Sequence, residues 1–390
     1  MIDLAILDRL NAPTPEERLE NLRALLPEAG FPPVVPRYIN NHIHTIYSFS
    51  PYSPAAAVYA ARAEGLCTAG IVDHDSIAGA REFLAAAEIA GIPATIGMEC
   101  RVDMTGTRLE GRRTNNPDQA GISYVTIQSV PHDRIELLDQ FFAPLREARN
   151  RRNRAMAERI NALLPDAGLD FGRDVLPLSQ AGRGGSVTER HLMYALAKRL
   201  TAQLGRGGGL IARLEKMGLP LSEKQRAQLM DEAYPFYEYD LLGILKSAFV
   251  PKIYIGAAGE CPRLAEVVRL CREADACLCY AYLGDVAESV TGDKRAQRFE
   301  DGYLEDVFRC LREEGVWAVT YMPTRNTAAQ LERLRELCGE YGMFQVSGED
   351  INSPRQSFVI RAMEDPRFQN LIDAAWRLID HETTGKPIRD

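Results

Sequence analysis

The sequence predicts an α/β fold built on a parallel sheet with helical crossovers. Short apolar, β-branched runs alternate with alanine- or leucine-rich helical segments through most of the chain. A glycine separates helix from strand at Gly65, Gly91, Gly315 and Gly342, as expected where a helix ends before a strand. Such alternation favours parallel strands joined by helices. Seven strands are predicted, and periodicity alone leaves an open sheet and a closed barrel as alternatives.

The predicted elements follow in chain order. Residues 1–35 form an N-terminal helical extension, in which Thr14 is the N-cap and Pro15 the first helical residue. Residues 36–140 form the first part of the α/β core, with strands at 37–44, 68–74, 93–98 and 122–130 and helices at 54–64 and 77–90. Residues 141–270 lack a clear strand and are interpreted as an inserted helical cap. Residues 271–390 complete the core, with strands at 276–282, 315–322 and 342–348, helices at 299–314 and 327–341, and a C-terminal helix.

The cap begins with an arginine-rich helix at about 143–164. Its cluster consists of Arg146, Arg149, Arg151, Arg152 and Arg154. A polyanion site and a solvated helix face are both compatible with this run, and the solvated face is favoured.

Composition argues against several classes of protein. The net charge of −8 gives nucleic-acid binding no support from the whole chain. There is no apolar run of the ~20 residues that span a bilayer, and no secretory signal is visible. The eight cysteines lack a C-x-x-C spacing, which favours reduced thiols. We therefore predict a cytoplasmic protein without a nucleic-acid or membrane partner; the sequence does not indicate its oligomeric state.

Residues able to bind metal stand at the carboxyl ends of the predicted strands, where α/β proteins build their sites. The first strand ends in His42-Ile43-His44, and an alternation of two places both imidazoles on one face. The second ends in Asp73-His74-Asp75, the third in Gly97-Met98-Glu99, and the seventh precedes Asp350 and Asn352. Imidazole and carboxylate groups together suit a divalent transition metal.

These motifs resemble the polymerase-and-histidinol-phosphatase (PHP) family of metal-dependent phosphoesterases. The matching segments are HIHTIYSFSPYSP at 42–54, GIVDHDSIAGA at 70–80, GIPATIGMEC at 91–100, TERHLMYAL at 188–196 and VSGEDINSP at 346–354. The resemblance implies a distorted (βα)7 TIM-like barrel carrying the inserted helical subdomain. It also implies two or three Mn, Fe or Zn ions that activate water for phosphate-ester hydrolysis.

Applied residue by residue, the resemblance assigns roles at this site. It makes His42, His44, Glu99 and Asp350 metal ligands, with Glu99 a candidate bridge. His74 and His191 become further ligands or the general acid and base. Asp73 is a candidate catalytic residue that, like Asp75, would orient a histidine through its other ring nitrogen.

The chain departs from the family pattern at several positions. The usual aspartate after H-x-H is replaced by Ser48-Phe49-Ser50, and the strand-four histidine by Ile122-Ser123-Tyr124-Val125. The closing Asp-x-His reads Asp350-Ile351-Asn352, and His-Pro-Gly reads Ala281-Tyr282-Leu283-Gly284. The changes fall on the second and third metal positions, so we expect one to two divalent ions (Mn, Zn or Fe).

Other polar residues are candidates for gripping a small anionic substrate. Arginine's planar donor fork matches phosphate, and the predicted substrate-binding residues are Arg325, Tyr282, Arg113, Arg190 and Asn352. Arg112, Asp285 and Arg355 are weaker candidates. His132 is either a replacement for the missing strand-four ligand or an exposed loop residue, and His381 is predicted to be exposed.

The sequence therefore predicts a metal-dependent hydrolase, with a phosphoesterase for a small phosphorylated metabolite as the first hypothesis. A single-metal amide or lactone hydrolase, or a sugar-acid isomerase, is the second. A degenerate, non-catalytic ligand-binding domain is the third.

Overall fold

The computed structural model of the protein describes residues 2–286 and 297–389. Seven strands form one sheet in the order β1-β2-β3-β4-β5-β6-β7. They are β1 Ile39–Ile43, β2 Thr68–His74, β3 Ala94–Asp103, β4 Ile122–Gln128, β5 Cys277–Ala281, β6 Ala318–Tyr321 and β7 Phe344–Ser347. Each lies at its predicted place, and only β3 is clearly longer than expected.

The helices also follow the prediction. Those in the described residues are α1 Leu4–Leu10, α2 Pro15–Leu25, α3 Pro54–Ala63, α4 Ala80–Ala90, α5 Ile135–Leu163, α6 Glu189–Leu204, α7 Gly208–Lys216, α8 Glu223–Met230, α9 Tyr237–Ile253, α10 Leu264–Ala274, α11 Leu304–Glu314, α12 Ala328–Tyr341 and α13 Gln369–Thr384. Thr14 caps α2 in a capping box with Glu17. Gly315 ends α11 at φ 85°, a left-handed conformation that glycine adopts without strain.

The prediction of a parallel sheet is wrong at β4. The pairs β1–β2, β2–β3, β5–β6 and β6–β7 are parallel, whereas β4 runs antiparallel to both β3 and β5. The reason lies in the connection, because residues 104–121 between β3 and β4 contain no helix. Without a crossover helix, the chain reverses and pairs as an antiparallel neighbour.

The sheet is curled but is not the closed barrel that the resemblance implies. Its two edges meet at a single bridge between Ile43 and Ile351. Two backbone bonds make this contact: the His44 amide donates to the Ile351 carbonyl at 2.9 Å, and the Ile351 amide donates to the His42 carbonyl at 3.1 Å. Because β7 already ends at Ser347, no full ladder with β1 forms. The bridge nevertheless brings the segment around Asp350 against His42 and His44.

The described residues form two large apolar cores and two small apolar clusters. The larger packs α1–α4 and α10–α13 against the sheet, and the smaller lies between Met156 and Ile253 with Phe49 inserted into it. The smaller core falls inside the segment expected to be an inserted cap, whose boundaries stay a prediction.

The arginine run of α5 is not a solvated face, and that expectation is wrong for three of its five members. Arg146, Arg149 and Arg152 are buried. Helical neighbours three apart share a face, and this face points towards the sheet. Each buried guanidinium is paired with a carboxylate, as a buried charge requires.

No helix in residues 2–286 and 297–389 is long and apolar enough to span a bilayer. All eight cysteines are buried and unpaired. Cys277 and Cys279 lie on one face of β5 with their sulfurs 3.7 Å apart.

Candidate metal centre

Five predicted ligands converge at the carboxyl ends of β1, β2 and β7 and on the middle of β3. Glu99 lies at their centre, with one carboxylate oxygen, Oε2, 3.7 Å from His42 Nε2 and 3.8 Å from His44 Nε2. The same oxygen lies 2.9 Å from His74 Nδ1. Asp350 Oδ1 completes the cluster at 3.3 Å from His44 Nε2.

Strand register explains the convergence. His42 and His44 are two residues apart, so their rings lie on one side with centroids 5.0 Å apart. His74 and Glu99 are direct partners across the β2–β3 pair, and side chains of opposed residues are neighbours. Glu99 was expected at the carboxyl end of its strand. It lies midway along β3 instead, because the strand continues to Asp103.

The geometry divides the ligands into two groups that could each hold an ion. One contains His42, His44 and Asp350, and the other contains His44, His74 and Glu99; within each group the ligand atoms lie within 4.8 Å of one another. The groups overlap at His44, whose Nε2 can bind only one ion at a time, so a second ion would be held by the remaining members of its group.

Orphaned ring nitrogens support a metal role. Nε2 of both His42 and His44 is buried without a hydrogen-bond partner among the described residues, a costly state for a polar atom. A divalent ion at these nitrogens would satisfy them, and imidazole with carboxylate is a donor set suited to Zn, Mn or Fe. The residues present therefore fit such an ion.

The electrostatics of the cluster favour the charged carboxylates. Burial alone would raise the pKa of Glu99 and Asp350, but the neighbouring histidines lower both pKa values. Burial lowers the pKa of His74, and the opposing effect of Glu99 does not overcome it. A neutral imidazole beside a carboxylate is the form that a metal ion binds.

Asp73 supports His44 from behind rather than presenting a free oxygen. Its Oδ1 accepts hydrogen bonds from the Thr45 amide at 2.7 Å and from Ser48 Oγ at 2.6 Å, and its Oδ2 accepts from Thr45 Oγ1 at 2.6 Å. Ser48 Oγ also lies 3.3 Å from His44 Nδ1. Ser48, which sequence reasoning noted only as a departure from the family, thus connects Asp73 to a ligand ring.

Asn352 supports Asp350 in a similar way. Its amide nitrogen donates to both carboxylate oxygens of Asp350, at 2.7 and 2.8 Å. Its backbone carbonyl faces the Arg190 guanidinium at 3.5 Å. Two of the predicted substrate-binding residues therefore lie beside a ligand.

His191 is buried at the start of α6, and the capping geometry occupies one of its ring nitrogens. Nδ1 accepts from the Thr188 amide at 3.0 Å, and the ring packs edge-on against Phe49 at 4.9 Å. Burial and the positive charges of Arg149 and Arg190 lower its pKa to about 3, so the ring is neutral. It is not a member of either ligand group in the described residues.

The remaining anion-binding candidates have structural partners. Tyr282 donates to Asp301 at 2.6 Å, and Arg325 donates to the Leu283 carbonyl, so both tie down the loop after β5. Arg113 is exposed and donates to the Pro117 carbonyl at 2.7 Å. Arg112, Asp285 and Arg355 likewise make bonds within their own loops or to neighbouring segments.

Two histidines lie away from the cluster. His132 follows β4, whose reversed direction places it at the amino ends of the other strands, 3.5 Å from Glu382; it does not replace a ligand. His381 is buried, and its ring nitrogens lie 2.8 Å from the Lys386 carbonyl and 2.6 Å from the Asp275 carbonyl. The expectation that His381 is exposed is therefore wrong.

Sequence reasoning missed a buried ionic network beside the cluster. Glu189 Oε2 lies 3.2 Å from Arg149, and Glu189 also pairs with Arg152. Arg149 pairs in turn with Asp75, the residue after His74. The sequence did carry a signal for this network, because arginines spaced three apart lie on one face of a helix. Tyr124 on β4 was also missed as a site residue; its ring centroid lies 6.1 Å from that of His74.

Comparison with known proteins now identifies the chain. The family model described as the PHP domain matches residues 40–305, more than half of the sequence. The chain belongs to the PHP domain family. The recognition made from the HIH, DHD and GED motifs is thereby confirmed.

Solved structures share the fold of this PHP domain. One, from Bifidobacterium adolescentis, is a proposed metal-dependent phosphoesterase with a TM-score of 0.54 and 18% identity, covering 85% of this chain and 96% of that chain. Another is an amidohydrolase from Chromobacterium violaceum with bound sulfate and no metal, with a TM-score of 0.51 and 16% identity, covering 83% of this chain and 90% of that one. No curated protein matches the sequence. Family membership and the clustered ligands together make this PHP domain a metal-dependent hydrolase.

Proposed function

We propose that this PHP domain is a phosphoesterase that hydrolyses a small phosphorylated metabolite with one or two Mn, Zn or Fe ions. The observation that carries the proposal is the pair of ligand groups sharing His44, with Glu99 between three histidines. Two neighbouring ions, if bound there, would supply the charge stabilisation that phosphoryl transfer needs.

The proposal assigns each residue a role that its contacts support. When bound, a divalent ion supplies Lewis-acid activation of water and of the phosphoryl group. His42, His44 and Glu99 hold the site, and Asp350 is fixed by the two donations from Asn352. Asp73 holds His44 in orientation through Ser48. With a single ion held by His42, His44 and Asp350, His74 would transfer protons between water and the leaving group, and where His74 holds a second ion this role would pass to His191.

Arg190 is the proposed contact to the substrate phosphate. It stands on the first turn of α6, beside the Asn352 carbonyl and 5.1 Å over the Phe49 ring. That stacking orients the planar guanidinium, whose geometry matches the oxygens of a phosphate. Arg325 and Tyr282 would act indirectly, since the bonds of Arg325 to the Leu283 carbonyl and of Tyr282 to Asp301 shape the loop after β5.

A second candidate function is a single-metal hydrolase of amides or lactones, or a sugar-acid isomerase. The observation that favours it is Asn352: an amide, not an imidazole, stands beside Asp350. The structurally similar amidohydrolase from Chromobacterium violaceum is consistent with this alternative. The unpaired thiols support the further proposal of a reducing, cytoplasmic location.

Metal analysis combined with an activity panel tests the proposal. Purified protein loaded with Mn or Zn is expected to bind one or two ions and to hydrolyse phosphate monoesters. His44→Ala, which removes the ligand common to both groups, should abolish both binding and turnover, and His42→Ala should lower both. His132→Ala, at the other end of the sheet, should change neither. One bound ion with turnover only of amides, lactones or sugar acids would favour the second candidate. Full activity in His42→Ala would refute the site itself.

A further inference from the structure

A second polar cleft lies at the opposite end of the sheet from the metal centre. It opens at the amino ends of β5, β6 and β7, has a volume of about 550 Å³, and is lined by three arginines together with Trp317 and Tyr341. The arginines are Arg272, Arg312 and Arg389. Its volume falls within the range of small-molecule sites, roughly 300–1,000 Å³.

Packing holds the three guanidinium groups in place. Arg389 lies 4.0 Å over the centroid of the Trp317 ring, and Arg312 lies 5.0 Å over that of Tyr341. The Arg272 guanidinium lies directly against Gly315, and a side chain at position 315 would collide with it. A guanidinium stacked by its face on an aromatic ring keeps its in-plane N–H donors available for an oxyanion.

These arginines are not neutralised locally. None of the three makes an ion pair within residues 2–286 and 297–389, although the chain as a whole carries a net charge of −8. The one carboxylate lining the cleft belongs to Asp275, whose side chain is 82% exposed. Arg272 and Arg312 also stand in the last turns of α10 and α11, where they complement the helix dipoles. That role does not account for Arg389, which comes from the C-terminal segment and completes the set.

We propose that this cleft is a binding site for a phosphate-bearing small molecule, separate from the catalytic centre. Three convergent guanidinium groups match an oxyanion of charge −2 or more, and arginine is the residue best suited to bidentate contact with phosphate oxygens. The probe closest to the shared chemistry is inorganic pyrophosphate. Adenosine diphosphate, which carries the same diphosphate on a nucleoside, tests whether the organic part is also recognised.

Trp317 provides a local readout of binding. The chain has two tryptophans, and the other, Trp376, is exposed, so Trp376→Phe leaves Trp317 as the sole indole reporter. Metal-free Trp376→Phe protein is titrated with pyrophosphate at constant ionic strength. Because Arg389 covers the Trp317 ring, an anion that engages Arg389 should change the emission in a saturable manner.

The matched variants keep that reporter intact. Arg272→Gln combined with Arg312→Gln should raise the Kd for pyrophosphate by about tenfold per arginine, the scale of one lost charge-assisted bond. Arg9→Gln combined with Arg269→Gln removes the same charge at two exposed positions, and should leave the Kd unchanged. Equal affinity for both probes assigns the site to the oxyanion alone, whereas tighter binding of adenosine diphosphate assigns it to a nucleotide. The proposal fails if no saturable change appears at millimolar concentration, or if both double variants titrate like the parent.

Discussion

The contact between Ser48 and His44 permits a sharp test of how the metal centre is held. Ser48 Oγ lies 2.6 Å from Asp73 Oδ1 and 3.3 Å from His44 Nδ1, so Ser48→Ala removes the link without changing a ligand. Loss of a partner that orients a ligand histidine costs roughly 10- to 100-fold in metal affinity. That factor corresponds to about 1.4 to 2.7 kcal/mol. We expect weaker binding of Zn or Mn with the same stoichiometry as in the parent protein.

The assay is competition for metal against a chromophoric chelator, with denaturant unfolding of the metal-free protein alongside. Unfolding should report a further loss of about 1 to 3 kcal/mol, because Asp73 loses one donor to its buried carboxylate. Ser50→Ala is the matched control: Ser50 is also buried, and its hydroxyl accepts only from the Tyr52 amide at 3.3 Å among the contacts described. Unchanged metal affinity in Ser48→Ala, or an equal loss in Ser50→Ala, would show that Asp73 does not act through Ser48.

Three further predictions concern charge and metal. Burial raises the pKa of Glu382 to about 7, against the opposing effect of His132. A carboxyl whose pKa is higher in the folded than in the unfolded protein stabilises the fold fully below the unfolded pKa. That contribution is lost as the pH rises through the folded pKa. Unfolding free energy should therefore fall by about 3 kcal/mol between pH 4.5 and 8, and this part of the fall should vanish in Glu382→Gln; an identical pH profile in the variant would contradict the assignment. Glu189→Gln should lower the unfolding free energy, measured with denaturant, by about 3 to 5 kcal/mol, because it leaves buried guanidinium groups without a compensating charge. Glu147→Gln on the exposed face of α5 should lower it little, and equal losses in the two variants would refute this reasoning. Removal of metal by dialysis against chelator should lower the unfolding free energy by about 4 kcal/mol relative to protein with metal at 1,000 times Kd. The same comparison on His44→Ala, which lacks the ligand common to both groups, should show no such difference.

The sequence predicted the elements well because each strand and helix carries its own local signal. Short apolar or β-branched runs located all seven strands, four of them preceded by a glycine that ends a helix, and the H-x-H spacing predicted that His42 and His44 share a face. These patterns depend on neighbours along the chain. The family resemblance then supplied Glu99 and Asp350, and the structure places both against the histidines.

What the sequence could not show depends on contacts between distant residues. Strand direction at β4 follows from a connection without a helix. Because β4 is buried on both faces like the parallel strands, it lacks the alternation that marks a half-exposed antiparallel strand. The sheet closes incompletely because β1 and the segment after β7 share only one backbone bridge. The number of such bridges depends on tertiary structure and has no local pattern in the sequence. Arg149 was misread because its partner Asp75 lies 74 positions away, and only tertiary structure distinguishes a buried arginine from a solvated one.

The reversed direction of β4 also determines what α5 must do. The chain leaves β4 at the amino ends of the neighbouring strands, and α5 carries it back, so that Arg149 reaches Asp75 at the carboxyl end of β2. From Ile135 to Arg149 the helix rises roughly 20 Å, with both ends anchored. The length of this part of α5 therefore matches the distance between the amino ends and the carboxyl ends of the parallel strands. One residue inserted within this span would turn Arg146, Arg149 and Arg152 by about 100° and advance them by 1.5 Å, whereas an insertion in an exposed loop would leave them in place.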